Sequence, residues 1–160
     1  MKIHCDRARF LEAFQIVASV APSRSPKVVL QNVKLEVEGD YVILSATDME
    51  VGIRYAVDGI EVETPGAALL PVGRFSSILR EAPDDKLEIE VTPQGVRIHG
   101  QRSNFLLPSA NPDEFPNVAS FNDDSYHEIP AGFLKEIIHR TIFATDNESS
   151  RYALSGVLFE

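Results

Sequence analysis

Asp113 and Glu114, followed by Asp123 and Asp124, are the residues whose types could do chemistry. Grouped carboxylates can hold the two metal ions that clamp the attacking and leaving oxygens in phosphodiester hydrolysis. That chemistry needs acids presented from several rigid elements around one cleft. Here they sit beside Pro and Asn in turn-like sequence, as do Asp84 and Asp85, where acids are ordinarily solvated. His4, His99, His127 and His139 are dispersed, and none has a second ligand at a metal-binding spacing. Asp48 and Glu50 in Ala46-Thr47-Asp48-Met49-Glu50-Val51 read as a polar corner between strands, with Thr47 and Asp48 bonding turn backbone. Cys5 falls in an alternating start, Met1, Ile3 and Cys5 against Lys2 and His4, and reads as a small core side chain rather than a nucleophile. Phosphate-cradling glycine loops and nucleophile elbows are missing, and Gly95 and Gly100 read as turn residues. No catalytic residue, metal or other cofactor is expected.

The elements that position these residues belong to an ordinary globular chain. It has 160 residues, 44% hydrophobic and 24% charged, with a single cysteine and so no internal disulfide. The lack of a leader pattern, or of an apolar run of about 18 residues, predicts a cytoplasmic protein. A net charge of −9 argues against a nucleic-acid partner when counted over the whole chain. Its distribution argues otherwise. Ala13 to Leu35 contains no acid but carries Arg24, Lys27 and Lys34, whereas Glu36 to Thr64 sets eight acids against Arg54 alone. Such segregation leaves a local basic face on an acidic protein.

Residues 1 to 5 read as a strand and Asp6 as the N-cap of a helix over 7 to 21, with Phe10, Leu11, Phe14, Val17, Ala18 and Ala21 on its apolar face. Arg9, Glu12, Ile16 and Ser19 lie opposite. Pro22 ends the helix, and a loop with Arg24, Pro26 and Lys27 leads to strands over 28–37, 41–46, 50–57 and 60–63. The pattern then restarts: a strand over 66–70, a short helix from Pro71 with Phe75, Ile78, Leu79 and Ala82 inward and Ser76 and Arg80 outward, then strands over 86–91, 96–99 and 103–107. Tight turns rather than helical crossovers join the strands. The fold class is therefore α+β with antiparallel sheets, two strand-helix-strands units over residues 1 to about 120. A connector rich in Pro, Asn, Asp and Ser over 108–124 is expected to be tacked down by Phe115 and Phe121.

The module then begins again. Phe10-Leu11-Glu12-Ala13-Phe14 is echoed by Phe133-Leu134-Lys135-Glu136-Ile137, and Leu30 to Glu36 by Leu154 to Glu160 after a one-residue shift. On this reading Glu160 falls mid-hairpin, and the 160 residues are an N-terminal fragment of a longer protein.

Met1-Lys2-Ile3, Val29-Leu30-Gln31-Asn32-Val33, Ala46 to Val51, Leu70-Pro71 with Arg74-Phe75, Asp113-Glu114-Phe115-Pro116-Asn117, and Arg151 with Leu154, Gly156 and Val157 occur together and in order. In this combination the chain resembles the bacterial DNA polymerase III beta subunit family, the DNA sliding clamps. The resemblance implies a DNA-clamp fold of duplicated β-α-β-β-β units with two helices per domain. It implies a complete N-terminal clamp domain over 1–120, a linker over 121–127 and the start of a truncated second domain over 128–160. The function implied is a non-catalytic processivity factor for DNA replication, associated with DNA-directed DNA polymerase activity only as part of the polymerase III holoenzyme. In full-length form it would dimerise into a ring around duplex DNA, without sequence preference, and tether the polymerase catalytic subunit, the clamp loader and other proteins bearing clamp-binding motifs.

Site residues follow by position. The resemblance implies DNA contacts at Arg24, Lys27, Arg80, Arg9, Lys135 and Tyr152, with His139 on the same helix face as Lys135. It implies a dimer edge at Arg74, Ile78, Arg102, Phe105 and Leu107, for which core packing is the alternative at Ile78, Phe105 and Leu107. Arg151 and Leu154 would belong to a groove for partner peptides. Gly73 stands where some relatives have a basic residue, and Glu148 and Ala153 fall near positions that elsewhere touch DNA. Two other readings remain: a metal-dependent nuclease built on Asp113, Glu114, Asp123 and Asp124, and a plain α+β protein-interaction domain.

Overall fold

The computed structural model describes residues 1–121, 124–146 and 155–160, which fall into two compact units, Met1–Ser120 and Phe121–Glu160.

In the first unit the antiparallel sheets expected from the tight turns are present. Strands β1 (Lys2–Asp6), β5 (Glu61–Thr64), β7 (Lys86–Thr92), β8 (Gly95–His99) and β9 (Asn104–Leu107) form a sheet ordered β5-β1-β7-β8-β9. The second sheet, ordered β4-β3-β2-β6, is built from β2 (Asn32–Glu38), β3 (Tyr41–Thr47), β4 (Gly52–Val57) and β6 (Gly66–Pro71). The β2–β3 hairpin turns on Gly39 at φ +58°, a conformation that glycine adopts without a Cβ penalty. Helices α1 (Arg7–Ala18) and α2 (Val72–Glu81) pack on each other, and their apolar faces meet the inner residues of both sheets in one core. Phe75 is the centre of that contact, edge-on to Phe10 at 6.0 Å and to Phe14 at 4.8 Å.

Asp6 caps α1 as its type predicts, accepting the Arg9 N–H at 2.9 Å. The helix stops at Ala18 rather than 21. Val20 and Ala21 donate to the carbonyls three residues back, and the Ser19 hydroxyl takes the Ile16 carbonyl, so the last turn tightens out of α geometry. Residues 28–31 are a 3₁₀ turn, not the start of a strand. The buried Asn32 amide donates to the carbonyls of Val28 and Val29 at 3.2 and 3.0 Å and so overrides the extended preference of two valines. Ser76, expected outward, is buried. The outward face of α2 is Gly73, Ser77 and Arg80, because so short a helix is enclosed by α1 and the sheets on its other sides.

The connector after β9 is tied to the outer face of the second sheet. A 3₁₀ turn over Pro112–Glu114, capped by Asn111, packs on β6 and buries Phe115. Further on, the Val118 carbonyl accepts from Arg54 on β4. Phe121 does not tack it down: it is exposed and lies edge-on to Tyr126 in the second unit.

The second unit contains α3 (Ala131–Thr141), where the echo of α1 places a helix, but none of its residues is buried. The strand expected over 154–160 is not formed at 155–160. Ladder hydrogen bonds require a partner strand, and the described residues of this unit contain none. Among the described residues no helix is long and apolar enough to cross a membrane.

Candidate nucleic-acid interface

The cations expected to matter are placed by the helix pair. Arg7, one residue past the cap of α1, donates from Nη1 to the Leu79 carbonyl at 2.8 Å and from Nε to the Asp84 carbonyl at 2.9 Å. It thereby satisfies a C-terminal carbonyl of α2 with a positive charge, which the helix dipole favours. The start of α1 therefore lies beside the end of α2. Arg9 and Arg80 share that end. Arg24 and Lys27 follow the other end of α1, a helix roughly 18 Å long.

All four of these side chains are exposed, and among the described residues none forms a salt bridge. Arg9 reaches toward the β4–β5 turn, where Gly59 has room beside its guanidinium. The 25–31 segment is pinned locally, with Lys27 N–H donating to Ser25 Oγ at 3.1 Å and Gln31 Nε2 to the Ser25 carbonyl at 3.4 Å. Glu12 and Glu81 are the acids exposed on the same helices. In the first unit most of the acid lies on the sheets and their turns: Glu38, Asp40, Asp48, Glu50 and Asp58 at strand ends, and Glu61, Glu63, Glu88 and Glu90 on the outer face of the first sheet. Scattered exposed cations of this kind can attract the phosphate backbone whatever the base sequence.

Four of the five expected edge residues meet in one place. Arg74, Ile78, Phe105 and Leu107, with Gly73, Ser77, Asn104 and Leu106, line a groove of about 720 Å³ between α2 and β9. Among the described residues, strand β9 pairs with β8 alone. Leu107 belongs to the core at 4% exposure, while Ile78 and Phe105 are half-buried against it. Arg102 stands apart, in the β8–β9 turn, where Nη2 donates to the Pro83 carbonyl.

The described acids of the nuclease reading are not gathered into a metal-holding cluster. Among the described residues no three His, Cys, Asp or Glu side chains gather to hold a metal ion. Asp113 and Glu114 are exposed in the 3₁₀ turn, and Asp123 lies outside the described residues. Asp48 forms the corner its sequence suggests. Its Oδ1 accepts the N–H groups of Glu50 and Val51, which hold the carboxyl below its ordinary range, and Thr47 Oγ1 bridges Met49 N–H and the Val51 carbonyl. Asp84, expected to be solvated, is buried instead, because Ser103 and Arg102 supply donors that only the folded chain brings to it. His4 joins Lys2 and Glu63 in a surface network, with His4 Nε2 3.1 Å and Lys2 Nζ 2.8 Å from the same carboxylate oxygen, which lowers the Glu63 pKa. In the second unit Lys135 and His139 are exposed along α3. Arg151, Tyr152 and Leu154, with Glu148 and Ala153, lie outside the described residues.

Sequence reasoning missed Arg7 and Asp84. Each is an ordinary polar residue near a helix end, and only the tertiary fold shows what it holds.

Known proteins match this chain in sequence and fold. The family described as DNA polymerase III beta subunit, N-terminal domain, matches residues 1–119. A beta sliding clamp of Pseudomonas putida is 32% identical over 161 residues, covering 100% of this chain and 44% of the relative. The DNA polymerase sliding clamp of Bacillus subtilis superposes with a TM-score of 0.88 at 27% identity, over 95% of this chain and 42% of that one. The DNA polymerase III subunit beta of Pseudomonas aeruginosa does so at 0.84 and 31%, over 98% and 43%. The chain thus spans less than half the length of these relatives. With 119 matched residues, carrying both sheets, the helix pair and the groove beside β9, the chain belongs to the DNA polymerase III beta subunit family.

Proposed function

We propose that the full-length protein is a non-catalytic sliding clamp that acts in DNA replication in the cytoplasm. Two copies close into a ring around duplex DNA and tether the replicative polymerase. The observation that carries this is the helix pair of an acidic chain, with Arg9 and Arg80 exposed at one end and Arg24 and Lys27 at the other. Such a surface attracts the phosphate backbone weakly and without sequence preference, as a protein that slides requires. Ring closure then supplies retention.

In this reading residues 1–120 are a complete N-terminal clamp domain, 121–127 a linker and 128–160 the start of a second domain that adds Lys135 and Tyr152 to the DNA-facing surface. Arg74, Ile78, Arg102, Phe105 and Leu107 form the subunit edge. The β9 backbone, paired on one side only, would take a strand of the other subunit, and the groove beside it would take apolar side chains. Arg151 and Leu154 contribute to a groove for short motifs of the polymerase, the clamp loader and other partners. The test is topological. Full-length protein loaded on nicked circular DNA should stay bound for many minutes and be lost when the circle is linearised. Loss from intact circles as fast as from linear DNA would sink the reading.

A further inference from the structure

Asp84 is a buried carboxylate that the DNA-facing surface does not use, 6% exposed in the link between α2 and β7. A buried charge is costly unless donors surround it, and here they converge from one turn. Ser103 Oγ donates to Oδ2 at 2.5 Å, the Arg102 N–H donates to Oδ1 at 3.1 Å, and Arg102 Nε lies 3.7 Å from the same Oδ1. Arg102 Nη2 donates to the neighbouring Pro83 carbonyl at 2.5 Å, and Gly100 N–H closes the turn onto the Ser103 carbonyl at 2.9 Å. Gly100 has no room for a side chain, since a Cβ there would run into the Asp84 carboxylate. From behind, the link is anchored to α1: Arg7 donates from Nε to the Asp84 carbonyl and from its backbone N–H to the Asp85 carbonyl at 2.8 Å.

The turn that Asp84 grips is the one that sends the chain into β9. That strand has four residues and, among the described residues, pairs only with β8, starting from the His99–Asn104 pair next to the turn. Its backbone is therefore held by one ladder and one turn, while Leu107 in the core and Phe105 against it fix which face turns inward. Phe105 and Leu107, which form the groove with Arg74 and Ile78 of α2, follow immediately.

We propose that Asp84 is a positioning residue for ring closure: through Ser103 and Arg102 it fixes the β8–β9 turn and so the placement of the β9 edge against α2. The proposal rests on the reading of β9 as the subunit edge. In line with it, the Ser103 and Arg102 donors hold the Asp84 carboxyl below its ordinary range. Arg102, which the family resemblance places at the dimer edge, here serves that edge by bracing the turn.

The experiment compares full-length wild type with Asp84→Ala, the milder Ser103→Ala, the double variant, and Asp84→Asn, which keeps one acceptor oxygen. Dimer dissociation is followed by sedimentation, and amide exchange is measured in the same proteins. Asp84→Ala and Ser103→Ala should each raise the dimer Kd roughly tenfold or more, with the double variant no worse than Asp84→Ala and Asp84→Asn in between. Exchange should rise at 100–107 and stay at the wild-type level in β2 and β3. An unchanged Kd, or exchange that rises evenly across both sheets as for a merely stabilising residue, overturns the proposal. Wild-type protein that remains monomeric overturns the ring reading itself, whereas a wild-type dimer matched by an equally tight Asp84→Ala dimer overturns this inference alone.

Discussion

At the scale of single residues, the folded environment decides which reactive groups are inert. Burial, followed by the neighbouring Asp6 charge, pushes the Cys5 thiol up to about 12. Since the thiolate is the nucleophile, Cys5 should resist thiol reagents at about pH 8 in the native protein and react fully once guanidinium unfolds it. Native-state labelling at the unfolded rate would show that β1 is not held in the core. Asp48 and Asp84 shift the other way, below the ordinary 3.8, through hydrogen bonds that favour the charged form. Each binds its proton less readily folded than unfolded. Their stabilisation is therefore present above about pH 4 and is lost as pH falls through the depressed folded values. Urea midpoints measured from neutral pH downward should fall below about pH 4. Asp48→Asn, which keeps the turn acceptor but removes the charge, should fall less steeply.

At the scale of elements, what was legible in the sequence is what local chemistry dictates. Asp6 caps α1, the Phe10–Phe14–Val17 spacing buries one face, and the Gly39 and Gly95 turns end strands whose apolar residues alternate. What was not legible depends on partners distant in sequence. Two valines before Asn32 look extended until its amide captures their carbonyls, and Asp84 looks like a solvated turn acid until residues 100–103 fold over it. The β7–β8 turn joins the two kinds of cause. Gly95 has φ +142°, and a Cβ there would collide with the Leu107 carbonyl on β9. Gly95→Ala should therefore cost about 2–3 kcal/mol, more than an ordinary surface turn substitution, in chemical denaturation. Arg7→Ala should cost about 1.5–3 kcal/mol, because it removes two charge-assisted hydrogen bonds that close α2 onto α1. A loss under about 0.5 kcal/mol would show that water replaces the guanidinium without penalty.

At the scale of the whole molecule, the charge segregation visible in the sequence and the surface in the structure are one fact seen twice. The acid-free stretch becomes the second half of α1, the loop and 3₁₀ turn after it and the start of β2, where Lys34 pairs with Glu36, and the acid-rich stretch becomes strands and turns on the sheets. Neither separates electrostatic attraction from the topological retention that the proposed ring would supply, and the two respond differently to salt. Each phosphate contact releases about 0.9 of a counterion, so for full-length protein on short linear duplex Arg24→Ala and Arg80→Ala should each flatten the dependence of log K on log salt by about 0.9. The flattening should be the same on duplexes of unrelated sequence, since no base is read. On closed circles the same variants, once loaded, should persist through salt that abolishes linear binding, because opening the proposed ring would break the subunit edge and not the DNA contacts. A salt slope unchanged by both substitutions would remove Arg24 and Arg80 from the DNA-facing surface. Variants that leave closed circles as fast as they leave linear duplex would show instead that charge, and not closure, was holding the protein.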